Sequence, residues 1–284
     1  MGQDNRLRGS PQHVPQIGGG RLAFLRSDPG FVPQGDQRPE ILFLSGFRSA
    51  MVGEKATAFH AWADRHQIGF TRFDYRGHGQ SDGDPTDLVV SDWVADALTI
   101  LDTVTRGPVL LIGSSMGAWI ATRLIQERPR RIAGLVTVAA APDFTDRLIR
   151  PRLSAEAEAA ARRAGFLTLP SGFEPDGYRV PIRLLDDGTA NTVLSVPVPF
   201  HQPARLLHGL ADQDVPWDLS LQLARTLTGA DVQITLIKDG DHRLSRPEDL
   251  ALVERHLAEL TGTKRTGAKR TGANRTGAEL IGDA

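Results

Sequence analysis

Gly113, Ser114, Ser115, Met116 and Gly117 read as G-x-S-x-G directly after the apolar run VLLI. That pattern fits a chain that reverses sharply from strand into helix. The middle serine sits at the turn in strained geometry, and small residues flank it because larger ones would collide. Ser115 is therefore the candidate nucleophile, with Ser114 at the variable position. A helix starting just after it would aim unpaired N–H groups and the positive end of its dipole at the reacting centre. A serine hydroxyl is a weak nucleophile alone; it needs a base, and the base needs an orienting acid. Two downstream segments offer these: HGLADQDVPW carries Asp212, and KDGDHRLSRPEDL carries His242. Asp214 and Asp143 are alternative acids, whereas Asp239 and Asp241 read as solvated loop charges beside His242. The run at 41–44 leads into SGFRSAM, where the backbone N–H of Phe47 could meet the same point as that of Met116, with Gly46 permitting close approach. Two preorganised donors would stabilise a tetrahedral oxyanion by about 3 kcal/mol each.

These residues need a scaffold that brings distant loops together. Short apolar runs at 22–25, 41–44, 69–73, 109–112, 134–138, 204–207 and 232–237 read as strands. Runs this continuous fit strands buried on both faces. Helical patterns lie between them. Ser91 reads as the cap of a helix carrying Val94, Leu98 and Leu101; a second helix spans 116–127 and stops before Pro129; Pro216 opens a third over 217–227. Ser245 and Pro247 open a last helix with Leu250, Val253, Leu257 and Leu260 on one face. Strands alternating with helices predict a mostly parallel sheet covered on both sides. Residues 143–200 break the rhythm with an Ala/Glu/Arg-rich helix from Ser154 and a Pro-, Gly- and Asp-rich stretch, which reads as an insertion over the sheet. Among the remaining histidines, His208 and His78 read as structural, and His60, His66 and His256 fall on helical segments.

Composition narrows the chemistry. The chain has 284 residues, is 40% hydrophobic, carries a formal net charge of −1 and has no cysteine. Thiol nucleophiles, disulfides and thiolate metal sites are excluded, and the balanced charge gives no global attraction to nucleic acid or acidic membrane. No cluster shows metal-ligand spacing, so neither a metal nor a cofactor is expected. No apolar run approaches the roughly 18 residues of a membrane span. Residues 1–19 read as a flexible leader without the apolar core of a secretory signal, and the location expected is cytoplasmic, with an organellar one left open. Residues 261–284 repeat TGTKR, TGAKR and TGANR, with five Lys and Arg against Glu279 and Asp283. Such a tail cannot bury a core, and it offers no aromatics to stack bases, so nucleic-acid binding is not expected.

Taken in order, GFRSAMVGEKA, RFDYRGHGQSDGD, LIGSSMGAWIA, RLLHGLADQDVPW and DGDHRLSRPEDL resemble the α/β-hydrolase serine esterases. Within them the likeness is to the α/β-hydrolase-domain group of mitochondrial acyl-protein (palmitoyl) thioesterases and acyl-glucuronide esterases. The resemblance implies an α/β-hydrolase fold over 20–260: a mostly parallel central sheet, helices on both faces and a small cap insertion at about 143–200. It implies the chain order Ser115, Asp212, His242 for nucleophile, acid and base, with Phe47 and Met116 as oxyanion donors. The activity implied is carboxylesterase or acyl-thioesterase through an acyl-enzyme, without a cofactor. The partner would be a small-molecule ester or acyl-thioester, or an acylated protein. The alternatives are another acyl hydrolase or acyltransferase (lactonase, amidase or peptidase), or a ligand-binding protein on the same fold. Phe166 and Phe173 in the insertion are the candidate lining of an acyl pocket, while Arg147, Arg150, Arg152, Arg162 and Arg163 read as a solvated face or a carboxylate site.

Overall fold

The strand VLLIGS, β5 (Val109–Ser114), is buried at every position. A strand without a polar side must be covered twice, and the alternation of its side chains shows by what. The computed structural model describes residues 10–28, 38–169 and 176–263. Leu111 joins Leu42, Leu44 and Leu135 on one face of the sheet, packed with Trp93, Ile100, Trp119 and Leu124. Leu110 and Ile112 join Ile41, Phe43, Val136 and Val138 on the other, packed with Phe59, Trp62, Val253 and Leu257. The helices behind these residues are α2 (Val90–Thr103) and α3 (Met116–Glu127) on the first face, and α1 (Glu54–Arg65) and α7 (Pro247–Leu260) on the second. Helix α6 (Asp218–Thr226) adds Leu219 and Leu223 to the first face.

Among the described residues the sheet has eight strands. In chain order they are β1 (Gln12–Pro15), β2 (Arg21–Ser27), β3 (Glu40–Leu44), β4 (Phe70–Phe73), β5, β6 (Ile132–Val138), β9 (Ala204–Gly209) and β10 (Val232–Ile237). Side by side they run β1-β2-β4-β3-β5-β6-β9-β10, antiparallel in the β1/β2 and β2/β4 pairs and parallel from β4 to β10. The register sets Leu44 beside Gly113, Ser114 beside Val138, Val138 beside Leu207 and Leu207 beside Thr235. Parallel strands end on the same side, so the loops after β3, β5, β9 and β10 open along one edge of the sheet, where such folds bind ligands.

Between β6 and β9 lie a π turn (Thr145–Ile149), α4 (Ala155–Ala164), the hairpin strands β7 (Phe166–Leu169) and β8 (Tyr178–Pro181), and α5 (Arg183–Ala190). Helix α4 is locally well specified. Ser154 caps it by accepting from the Ala157 N–H at 3.1 Å, Glu156 and Glu158 lie in its first turn, and Arg162 and Arg163 in its last. Polar links close the base of the segment and fasten it to α2 and α3. Asp143 accepts from the Val193 N–H at 2.8 Å and the Leu194 N–H at 2.9 Å. The Trp119 indole donates to the Asn191 carbonyl at 2.9 Å, and Ser91 donates through N–H and hydroxyl to Asp187 at 2.9 and 2.7 Å.

All seven runs read as strands are strands, and the helix expected over 116–127 is α3. Two readings need correction. Part of the supposed leader is structured: Gln12–Pro15 forms β1 and pairs with β2, because an edge strand can satisfy its ladder while its side chains stay exposed. Ser91 is not the cap of α2. It lies inside the helix, Val89 precedes it, and the Asp92 carboxylate accepts from the Val89 N–H at 3.1 Å. The basic repeat, from 264 on, lies outside the described residues. Among the described residues no helix is long and apolar enough to cross a membrane.

Candidate active site

The turn between β5 and α3 carries Ser115 at φ 53°, ψ −117°, outside the regions open to L-residues at low cost. Neighbouring backbone fixes it there. The Ser115 N–H donates to the Val138 carbonyl at 2.9 Å, and its own carbonyl accepts from Ala118 at 3.0 Å and Ala141 at 3.2 Å. The flanking glycines are sterically required. A Cβ on Gly113 would lie 2.5 Å from the Ala118 Cα, and one on Gly117 would overlap the Leu44 carbonyl. A Cβ on Gly46 would come within 3.3 Å of the Ser115 Cβ, which places the loop after β3 directly against the serine.

His242 arrives from the loop after β10. The Asp241 carboxylate accepts from the Leu244 N–H at 2.9 Å, and the Lys55 ammonium on α1 donates to the Arg243 carbonyl, so the loop is tied on both sides of the imidazole. His242 Nε2 lies 3.2 Å from the Ser115 Oγ, and its Nδ1 lies 2.7 Å from the Asp212 Oδ2. The Asp212 carboxylate is fully buried. Its Oδ1 accepts from the Asp214 and Val215 N–H groups at 2.9 and 2.8 Å, and its Oδ2 also meets His208 Nε2 at 3.1 Å. Burial pushes its pKa up, but the hydrogen bonds from His208, His242 and the Val215 backbone outweigh this and hold it well below the usual carboxylate range. Asp212 is therefore an anion facing the imidazole.

The alternative acids fall elsewhere. Asp143 is buried on the two backbone N–H groups of 193 and 194, and burial against those bonds pushes its pKa up. Asp214 is exposed, though one carboxylate oxygen lies close enough to Asp212 and His242 for the three to bracket a metal within 4.8 Å. Asp212 and His242 already bond each other through Oδ2 and Nδ1. Asp239 pairs with Arg246 at 2.8 Å.

The N–H groups of Phe47 and Met116 donate to no acceptor among the described residues. The loop carrying Phe47 is shaped by its neighbours: the Arg48 N–H donates to His78 Nε2 at 3.2 Å, and the Met51 N–H to the buried Asp74. Burial raises the Asp74 pKa, partly offset by the Met51 and Gln80 N–H groups. The Phe47 ring packs among Trp93, Phe144 and Tyr178 at 5.8, 6.1 and 5.9 Å between centroids. A cavity of about 350 Å³ opens beside Ser115 and His242, walled by Phe43, Phe47 and Ala50 on one side and by Glu54, Lys55 and Arg243 on the other. Burial, then the Arg243 charge, lowers the Lys55 pKa. Phe166, expected to line an acyl pocket, lies in β7. The Arg179 guanidinium stacks 3.6 Å from its ring within the β7–β8 hairpin, and it does not border this cavity. Phe173 lies outside the described residues. The contributions of His208, His78 and Lys55 were not foreseen as part of the site. For His208 a signal existed: a histidine inside a strand buried on both faces must have partners.

The architecture is that of the α/β-hydrolases. The chain belongs to the Hydrolase_4 family, described as serine aminopeptidase S33, whose model matches residues 36–177. It is 37% identical over 216 residues to the palmitoyl-protein thioesterase ABHD10, mitochondrial, of Mus musculus, spanning 76% of this chain and 72% of that one. The human counterpart is 33% identical, covering 76% and 70%. The solved structure of α/β hydrolase domain-containing protein 10 from mouse superimposes with a TM-score of 0.80 at 33% identity, covering 89% of this chain and 98% of that one. A putative hydrolase from Agrobacterium vitis S4 does so with a TM-score of 0.81 at 37% identity and the same coverage. The protein is thus a hydrolase of this family. The mitochondrial names of these relatives conflict with the cytoplasmic location expected from the sequence.

Proposed function

We propose that the protein cleaves carboxylic ester or thioester bonds through a Ser115–His242–Asp212 triad and an acyl-enzyme. The observation that carries this reading is the unbroken hydrogen-bonded chain from the Ser115 hydroxyl through both nitrogens of His242 to the buried Asp212 anion. Ser115 attacks the acyl carbonyl while His242 Nε2 takes its proton. Asp212 fixes the tautomer and stabilises the imidazolium without taking the proton itself. The oxyanion forms against the Phe47 and Met116 N–H groups, which need no reorganisation to receive it. His242 then protonates the leaving alcohol or thiol, and a water activated by the same imidazole releases the acyl group. The site lies within one unit that includes β1 and runs to the end of α7. The segment at 143–200 caps it through Phe144 and Tyr178, which meet the Phe47 ring. The thioesterase name of the relatives supports an acyl-thioester, free or on a protein, as the substrate.

The test is a hydrolysis profile across p-nitrophenyl esters and acyl-thioesters of rising chain length. Ser115→Ala or His242→Ala is expected to lower turnover by up to about 10⁶-fold, with the fold retained. Ser115→Ala protein hydrolysing any of these at the wild-type rate would sink the assignment.

A further inference from the structure

We propose that His208 is a positioning residue of this hydrolysis: it clamps the Asp212 carboxylate and, by sharing the oxygen that faces His242, sets the pH at which His242 becomes a base. The proposal rests on the triad reading above.

His208 lies in β9, buried at every position, and the residue is 0% exposed. A polar ring in such a place must have its hydrogen bonds satisfied. Its Nδ1 lies 2.7 Å from the Ser220 Oγ on α6, and its Nε2 lies 3.1 Å from both the Asp212 Oδ2 and the Val215 carbonyl. The last two groups can only accept. Nε2 therefore carries the proton, and Nδ1 accepts from the Ser220 hydroxyl, which locks the tautomer. The outcome is a carboxylate with four donors: two backbone N–H groups on Oδ1, and His208 and His242 together on Oδ2.

Two consequences follow. The carboxylate cannot rotate without breaking bonds on both oxygens, so Oδ2 stays in place for His242. The charge on Oδ2 is also divided between two imidazoles, so His242 receives less stabilisation of its cation than sole use of that oxygen would give. Other charged groups stand on the neighbouring elements. Asp214 comes from the loop after β9 and Asp218 from the start of α6; Asp241 and Arg243 lie beside His242, and Glu54 and Lys55 on α1. None of these bonds Asp212 through its side chain among the described residues; only the two histidines do.

The experiment measures kcat and kcat/KM for p-nitrophenyl butyrate between pH 5 and 9. It uses the full chain as wild type, His208→Phe, His208→Gln and Ser220→Ala. A fluorophosphonate probe counts the fraction of sites with a reactive Ser115. Phe fills the space without a donor; Gln puts an amide N–H where Nε2 stood. In His208→Phe the acid limb of kcat/KM is expected to move up by about one pH unit, because Asp212 then serves His242 alone. The plateau kcat per labelled site is expected to fall about tenfold, because the acid is less well held. His208→Gln should restore both, and Ser220→Ala should shift the limb in the same direction by less. A plateau that falls only in step with the labelled fraction, with the limb unmoved, would mean a packing role and overturn the proposal. So would a His208→Phe enzyme indistinguishable from wild type. If His208→Phe does not fold, an unmoved limb in Ser220→Ala overturns it. A wild type that neither turns over nor labels at Ser115 overturns the triad and this proposal together. Turnover abolished by Ser115→Ala, with an unmoved limb in the His208 and Ser220 variants, overturns this proposal alone.

Discussion

The sheet and the segment that bridges β6 to β9 are built in opposite ways. In β3, β5 and β6 nearly every side chain is buried and apolar, and burying one Leu or Ile is worth about 1.5–3 kcal/mol. In α4, by contrast, only Ala161 is buried, and the segment is laced by ion pairs: Arg150 to Asp146 and Glu158, Arg162 to Glu158 and Asp186, and Arg183 to Asp87. Exposed pairs contribute little, because salt screens them and side-chain entropy opposes them. The comparison teaches where precision resides. The loops carrying Ser115, Asp212 and His242 are fixed by a core that cannot shift without creating voids. The described residues of the bridging segment are held instead at a few polar points.

Three changes put this contrast at risk, in decreasing order of effect. Gly117→Val attacks the rigid side. Its Cβ meets the Leu44 and Ser45 carbonyls, so the serine turn and the loop of Phe47 must separate. Turnover is expected to fall by about 10²-fold or more, with a loss of about 1–3 kcal/mol in denaturant unfolding. Unchanged kcat/KM would show that the turn is not rigid.

Asp143→Ala opens the base of the bridging segment. It leaves the N–H groups of Val193 and Leu194 without their acceptor, at a cost of about 1–3 kcal/mol. Limited proteolysis should then cut within 143–200 faster, and KM for a long-chain ester should rise while kcat for an acetyl ester holds. An equal loss on both esters would mean that the base serves the whole site. Arg162→Ala removes only exposed pairs. A Tm change of no more than about 2 °C is expected, vanishing in 1 M salt. A larger, salt-independent drop would place the segment's stability in its ion pairs.

Legibility in the sequence followed the same division. The seven strands announce themselves because burial on both faces forces continuous apolar runs, and α3 is bounded by the serine turn and Pro129. Strand β1 gives no such signal: QHVP is exposed at the sheet edge and includes a proline. Helix α5 is equally hidden, since its Arg183 and Asp187 answer to Asp87 and Ser91, far along the chain. Ser91 illustrates this. Its resemblance to a local cap conceals a bond to Asp187, 96 residues away. The meeting of Ser115, His242 and Asp212 was legible in the order of residue types at strand ends. Phe166 carries only its aromatic character in the sequence, which does not announce that its ring stacks under Arg179.

The backbone at Ser115 has a consequence for how this sequence can change. At φ 53°, ψ −117° an L-residue costs about 1–3 kcal/mol that glycine would not incur. A screen that selected variants for heat resistance alone, with no demand on turnover, would therefore favour loss of the hydroxyl at this position. Thermal hardiness favours glycine at this position, and the proposed use of the Ser115 hydroxyl opposes it.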